Sequence, residues 1–274
     1  NMNSSLQKIY FHVGISKTGS TFLQKSVFPL LSKIAYIPTN RYQNIYLEIE
    51  KISLGNVLVS REFDRQFEKE VFKFSNKYPQ STPIIVLRRH DEYFASQYRR
   101  FVKNGFTGGV GDFLNLEDDS GFFKKIHFNF KYQIDILTKA FSQKPIVLFH
   151  HNLKSNPKKF IADFCEYTGS NINIEKVNFS KKHGSYSEKQ LKSIRTISRY
   201  FNLRKRRVFK SLLLHLIWRF YHAFFRYGIL YLSFFIPKFM YSKEPLLDPI
   251  YLNKIKDYFK DDWEYCLNYK NVKE

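Results

Sequence analysis

The sequence predicts a three-layer α/β domain with a mainly parallel central sheet, followed by a helical carboxyl-terminal extension. Three observations carry this expectation. Short apolar runs at Ile9–Val13, Val57–Val59, Pro83–Leu87 and Pro145–Phe149 are each followed by a turn and a stretch with helical spacing. Strand alternating with helix makes crossover connections, which bring successive strands parallel. The chain, with 274 residues of which 43% are hydrophobic, can also close a full core around such a sheet. Beyond residue 200 helical spacing recurs, at His215–Arg226 and Pro249–Tyr269, so an α/β domain is expected over 6–200 and a basic, aromatic-rich helical portion over 201–274.

Taken in order, the first run leads into GISKTGST, residues 14–21. Gly14 and Gly19 accept backbone angles that other residues avoid. The turn can therefore close around an anion while Gly19, Ser20 and Thr21 direct N–H groups toward it, and a helix follows from Ser20 through Val27. Ile34–Ile37 reads as a short strand and Tyr42–Ile52 as a helix, broken at Gly55-Asn56. The Val57–Val59 strand ends in Ser60-Arg61-Glu62-Phe63, and a residue just past the carboxyl end of such a strand faces the ligand crevice. A helix over Glu62–Tyr78 precedes the Pro83–Leu87 strand, which closes on Arg88-Arg89.

A helix over Asp91–Asn104 comes next, and Ser96 falls on it eight places after Arg88. Gly105–Gly111 has no strand before it and reads as a flexible lid or acceptor-side loop, with the acidic Asp112–Gly121 segment beside it. His127–Phe141 is expected to be helical. His150-His151-Asn152-Leu153 follows the last strand, and a helix over Lys158–Tyr167 is closed by Gly169. Adjacent histidines on a strand point opposite ways and no further ligand sits at metal spacing, so no metal site is expected.

Against the nucleotide-triphosphate loop GxxxxGK[ST], the glycine spacing agrees but Ser20 stands where the lysine belongs. The lysine of this loop is Lys17. The segment SKTGST resembles instead the 5′-phosphosulfate loop of sulfotransferases that use 3′-phosphoadenosine 5′-phosphosulfate (PAPS), commonly PKTGTT, with Ser16 in place of the proline and Ser20 in place of the first threonine. Arg88 and Ser96 match the spacing of the 3′-phosphate motif of the same family, and a guanidinium suits that task because its planar donors fit phosphate oxygens in pairs. Each motif alone also reads as an ordinary strand-to-helix junction; two in the right order point to one nucleotide.

The resemblance implies a P-loop-like fold and transfer of a sulfuryl group from PAPS to an acceptor hydroxyl, with 3′,5′-adenosine bisphosphate as product and no metal. It assigns Gly14, Ser16, Lys17, Thr18, Gly19, Ser20 and Thr21 to the 5′-phosphosulfate, and Arg88 and Ser96 to the 3′-phosphate. Lys181 and Lys182, in the loop KKHGSYS, are similar in outline to a basic loop that wraps the same 3′-phosphate. Lys17 would stabilise the departing oxygen. For the base, Glu62 looks like the glutamate that several carbohydrate sulfotransferases carry after this strand; His12, on the first strand, is the rival, and also reads as a buried core histidine.

A net charge of +21 favours anionic partners: a nucleotide, an acidic or lipid-linked glycan acceptor, or an anionic membrane surface. No recognised RNA-binding motif accompanies it, so nucleic acid is not expected. Cys165 and Cys266 are too few and too far apart for a disulfide framework or zinc site. The start NMNSSLQ holds no apolar run, Asn1 ahead of Met2 reads as a cloning remnant, and a cytoplasmic enzyme is expected, at most peripheral on an inner membrane face.

Residues 189–243 contain thirteen Lys and Arg and no Asp or Glu. Within this stretch His215, Arg219, His222 and Arg226 form one helical stripe amid Leu, Phe, Tyr and Trp. Two arrangements stand for it: the wide apolar face packs as part of an acceptor-site cap, or the helix lies in a membrane interface. The last helix is expected over Pro249–Tyr269. The competing functions are a kinase-like phosphotransferase, which lacks its loop lysine, and a non-enzymatic basic membrane- or nucleic-acid-binding protein.

Overall fold

The structure is a computed structural model that describes residues 7–53, 55–180, 186–204, 209, 211–235, 237 and 244–271. In chain order its elements are β1 (Ile9–Ile15), α1 (Ser20–Phe22), β2 (Leu31–Ser32), β3 (Ile34–Ile37), α2 (Ile45–Glu50), β4 (Asn56–Phe63), α3 (Phe67–Ser75), β5 (Thr82–Leu87), α4 (His90–Lys103) and α5 (Val110–Phe113). Then come α6 (Phe130–Ala140), β6 (Ile146–Phe149), α7 (His150–Ser155), α8 (Pro157–Thr168), β7 (Asn171–Ile172), α9 (Glu188–Tyr200), α10 (Leu212–Leu232), α11 (Pro249–Tyr258) and α12 (Lys260–Leu267). They fall into two compact units: the first is Asn1–Tyr93, Ile126–Lys182 and Phe259–Glu274; the second is Phe94–Lys125 and His183–Tyr258.

In the first unit the described strands build a five-stranded sheet in the order β3-β4-β1-β5-β6, every neighbouring pair parallel. The expected α/β architecture with a parallel sheet is therefore present. β1 is central, and the chain leaves it first toward β4 and β3 and later toward β5 and β6, which makes its carboxyl end the switch point where open α/β sheets bind ligands.

Alternation along the strands covers both faces. Tyr10, Leu58, Ile84, Val86 and Leu148 pack on one side against Leu23, Phe28 and the Phe160, Ile161 and Phe164 face of α8. On the other side Phe11 stacks on Phe74 at 4.0 Å and meets Phe63 and Phe141 edge-on. Burying each such side chain is worth ~2 kcal/mol.

Several expected helix boundaries move: the Tyr42–Ile52 helix is α-helical over Ile45–Glu50 and the His127–Phe141 helix over Phe130–Ala140. The helix expected from Glu62 begins only at Phe67, because β4 continues to Phe63 and pairs residue by residue with β1 as far as Ile15. The helix expected over Pro249–Tyr269 breaks at Phe259 into α11 and α12. Phe259 lies parallel to the His90 ring at 4.7 Å, and Phe130 stacks on that ring at 4.2 Å. His90 Nε2 sits 2.8 Å from Asp262 Oδ2, and the same carboxylate accepts the Phe130 and Lys131 N–H groups at the start of α6. One α12 aspartate thus caps α6 and anchors the helix after β5.

The second unit has an aromatic cluster in which Phe94, Tyr98 and Phe101 each meet Phe113 edge-to-face and Phe122 stacks on Phe113, with the Arg204 guanidinium over Phe122 at 4.2 Å. In the segment read as a flexible lid or acceptor-side loop, Tyr98 donates its hydroxyl to the Gly108 carbonyl at 2.9 Å, and the Gly109 N–H donates to Asp112 Oδ2 at 2.8 Å. On α10 the wide apolar face stands exposed from Leu212 onward; of the basic stripe, His215, His222 and Arg226 are half-buried and Arg219 is exposed.

Candidate functional site

Most of the residues singled out in the sequence gather at the carboxyl ends of β1, β4, β5 and β6, within the first unit. Past Ile15 the backbone turns through Lys17 at φ 73° and Gly19 at φ 91°. A lysine in the left-handed region costs on the order of 1 kcal/mol and persists only where its surroundings hold it. Thr18 supplies part of that hold, donating its hydroxyl to the Ile15 carbonyl at 2.7 Å and lying 3.4 Å from Ser20 Oγ. Ser16, Thr18 and Ser20 are buried; Lys17 and Thr21 face solvent.

Gly19 is required by more than its φ angle. A Cβ there would lie 2.5 Å from Leu153 Cδ2, so the loop rests directly on α7. A Cβ on Gly14 would come within 3.1 Å of both Glu62 Cγ and Ser20 Oγ. The β4 carboxylate and the loop serine therefore converge on one bare stretch of backbone. α1 opens without a side-chain cap, leaving its first N–H groups to be satisfied from outside the helix.

Arg88, just past β5, donates from Nη1 to the Lys17 carbonyl at 3.2 Å and from Nε to Glu92 Oε2 at 3.2 Å. These two bonds fix the guanidinium plane at the rim of the loop. Arg89 is engaged elsewhere, in a two-point pair with Asp91 at 2.7 and 2.8 Å. Ser96 is half-buried on α4 and belongs to the second unit. Lys181 and Lys182 lie outside the described residues.

Under the loop, His12 is fully buried on the same strand face as Gly14. Its Nδ1 lies 2.8 Å from Ser60 Oγ, which also accepts a bond from Gln24 Nε2 at 2.9 Å. Its Nε2 is buried without a partner among the described residues, and burial pushes its pKa down to about 4. The ring is neutral at pH 7. Gln24 lies in a π-helical turn, Leu23–Val27, that continues α1 and carries Leu23 and Val27 into the core.

In the sequence His150, just past β6, stands out only as half of an HH pair with no metal spacing. It belongs to this site: its Cδ2 lies 3.5 Å from where a Gly19 Cβ would be, and its Nδ1 is buried without a partner among the described residues. Burial first, and the Arg88 charge second, push its pKa down to about 4. Among the described residues no group of His, Cys, Asp and Glu could hold a metal ion.

No family model matches the chain, and no curated protein matches it. A solved structure of a sulfotransferase from Alicyclobacillus acidocaldarius is similar at 16% identity and a TM-score of 0.48, over 73% of this chain and 96% of that one.

Proposed function

We propose that this chain is a sulfotransferase that moves the sulfuryl group of PAPS to a hydroxyl of an acceptor, a cell-surface carbohydrate or glycolipid. The observation that carries this reading is the bond from Arg88 Nη1 to the Lys17 carbonyl, 3.2 Å, which joins the two anion-binding motifs at the ends of adjacent strands. An adenosine with a phosphate at each end of its ribose needs two such stations side by side.

The residues fit that nucleotide. Gly14 and Gly19 leave a cradle that side chains would fill, the loop hydroxyls and the uncapped helix start offer donors, and Lys17 and Arg88 supply the charge. When bound, PAPS supplies an activated sulfuryl group with a phosphate as leaving group. The backbone N–H groups of Gly19, Ser20 and Thr21 hold the 5′-phosphate, and the Lys17 ammonium offsets the charge that grows on the departing oxygen. Arg88 holds the 3′-phosphate. Glu62, half-buried opposite Gly14, takes the proton of the attacking hydroxyl. His12 is fully buried and paired through Nδ1 with Ser60, so this reading gives it the part of holding β1 to β4 and leaves the base to Glu62.

The test is binding to immobilised 3′,5′-adenosine bisphosphate in competition with ATP, followed by transfer of radiolabelled sulfate from PAPS onto envelope extracts. Selective retention and transfer that Lys17→Ala abolishes, with an unchanged melting temperature, support the reading. Preference for ATP, or full transfer in Lys17→Ala, overturns it.

A further inference from the structure

A helix on a folded unit ordinarily turns its apolar stripe inward. α10 does the reverse. Its inward stripe carries His215, Trp218, His222 and Arg226, and Arg226 is tied within its own unit, donating from Nη1 to Asn104 Oδ1 at 3.2 Å and from Nη2 to the Leu203 carbonyl at 3.3 Å. On the opposite side Leu213, Ile217, Phe220, Phe224, Tyr227 and Tyr231 follow one another at alternating steps of four and three residues, and all are exposed. Phe220 and Phe224 leave 75% and 71% of their surface to solvent.

A partner helix could use the same spacing. A coiled-coil seam, however, is narrow and bordered by charged residues that choose the partner. Here the bordering Leu214, Leu216 and Tyr221 are apolar and exposed as well. The apolar arc spans about half the helix, which suits a fluid apolar phase better than a fitted groove.

Charge then separates a lipid surface from a second copy of the chain. The acid-free stretch 189–243 has thirteen cationic residues in a chain of net charge +21, so two copies of the chain repel each other and an anionic surface attracts them. No described helix is long and apolar enough to cross a membrane, and the exposed Arg219 flanks the apolar arc where headgroups would meet it.

We propose that α10 is an interfacial helix that docks on an anionic phospholipid surface, with its Leu213-to-Tyr231 face among the acyl chains and Arg219 at the headgroups. This surface is independent of the chemistry proposed above.

The experiment is flotation of the full chain with vesicles of phosphatidylcholine alone or with added phosphatidylglycerol, beside light scattering without lipid. The expected result is a lipid-free monomer that floats with the anionic vesicles and far less with the neutral ones. The double variant Phe220→Glu/Phe224→Glu should lose at least about tenfold in partition. Both positions are exposed, so its melting temperature should match the parent's; if it does not fold, Leu213→Glu/Ile217→Glu probes the same face. Failure of the parent to float, equal flotation of a folded variant, or a lipid-free dimer that the variant dissociates would each overturn the proposal.

Discussion

Lowering the pH should loosen the first unit through one buried histidine, and the size of the effect can be worked out. His12 has an ordinary pKa of 6.5 and, buried in the fold, one of about 4. Because the folded value is the lower, the unfolded chain takes up the proton first. The neutral ring's contribution is complete above 6.5 and is lost as pH falls from there toward 4. At pH 5 the unfolded state is favoured by about 2 kcal/mol relative to pH 7.5, and by roughly 3 kcal/mol once the pH is below both values. The perturbation is His12→Gln, which keeps a polar group near Ser60 and cannot titrate. Urea unfolding of parent and variant at pH 7.5 and pH 5 gives two pH sensitivities, and the parent's should exceed the variant's by about 2 kcal/mol. Other titrating groups, His150 included, are common to both proteins and cancel. A difference under about 0.5 kcal/mol would mean that His12 does not sit neutral beneath the loop.

Replacing Gly19 with Ala should destabilise the first unit by roughly 1–3 kcal/mol, read as a lowered melting temperature, because the new methyl meets Leu153 and the backbone stays at φ 91°. Arg88→Ala should weaken binding of 3′,5′-adenosine bisphosphate in calorimetry by about 10–100-fold and leave adenosine 5′-phosphate nearly unchanged, with Arg88→Lys in between. For Glu62→Gln the expectation is kcat lower by about a hundredfold with nucleotide affinity retained; equal losses in both would mean the carboxylate positions the loop instead.

The strand-turn-helix at Lys8–Gln24 and the Arg88 junction were legible because each rests on local chemistry: glycines where a turn must close, a lysine in the turn, an arginine at a strand end. The parallel sheet was legible for the same reason, since every apolar run is followed by a helical stretch. Contacts between residues far apart in the chain were not. Gln24 and Ser60 are separated by 36 positions and His90 and Asp262 by 172, and neither pair leaves a periodic trace. His150 escaped for a different reason. Its part comes from being packed against Gly19 by α7, and an HH pair after a strand suggests metal before it suggests a buried, neutral ring. The inverted face of α10 was half visible: the stripe could be read, but which side it turned inward depended on Asn104 and Leu203.

The buried polar pair under the loop explains how a glutamate on a strand can be aimed so closely. In the parallel register of β1 and β4, His12 lies opposite Ser60 and Gly14 opposite Glu62. All four point to one face of the sheet. A slip of one residue would send Glu62 to the far side, among the rings around Phe11 and Phe74, and bring Arg61 or Phe63 against Gly14. Apolar neighbours such as Leu58 and Val59 would resist such a slip only weakly, because the aliphatic residues around them bury about as well in either register. The His12–Ser60 bond is different: breaking it strands polar atoms where no water reaches, and each costs ~1–3 kcal/mol. Gln24 extends that penalty to the helix, so one hydroxyl ties the strand register to the turn that follows α1. In this way a fully buried histidine helps set where the carboxylate that we assign as base must stand.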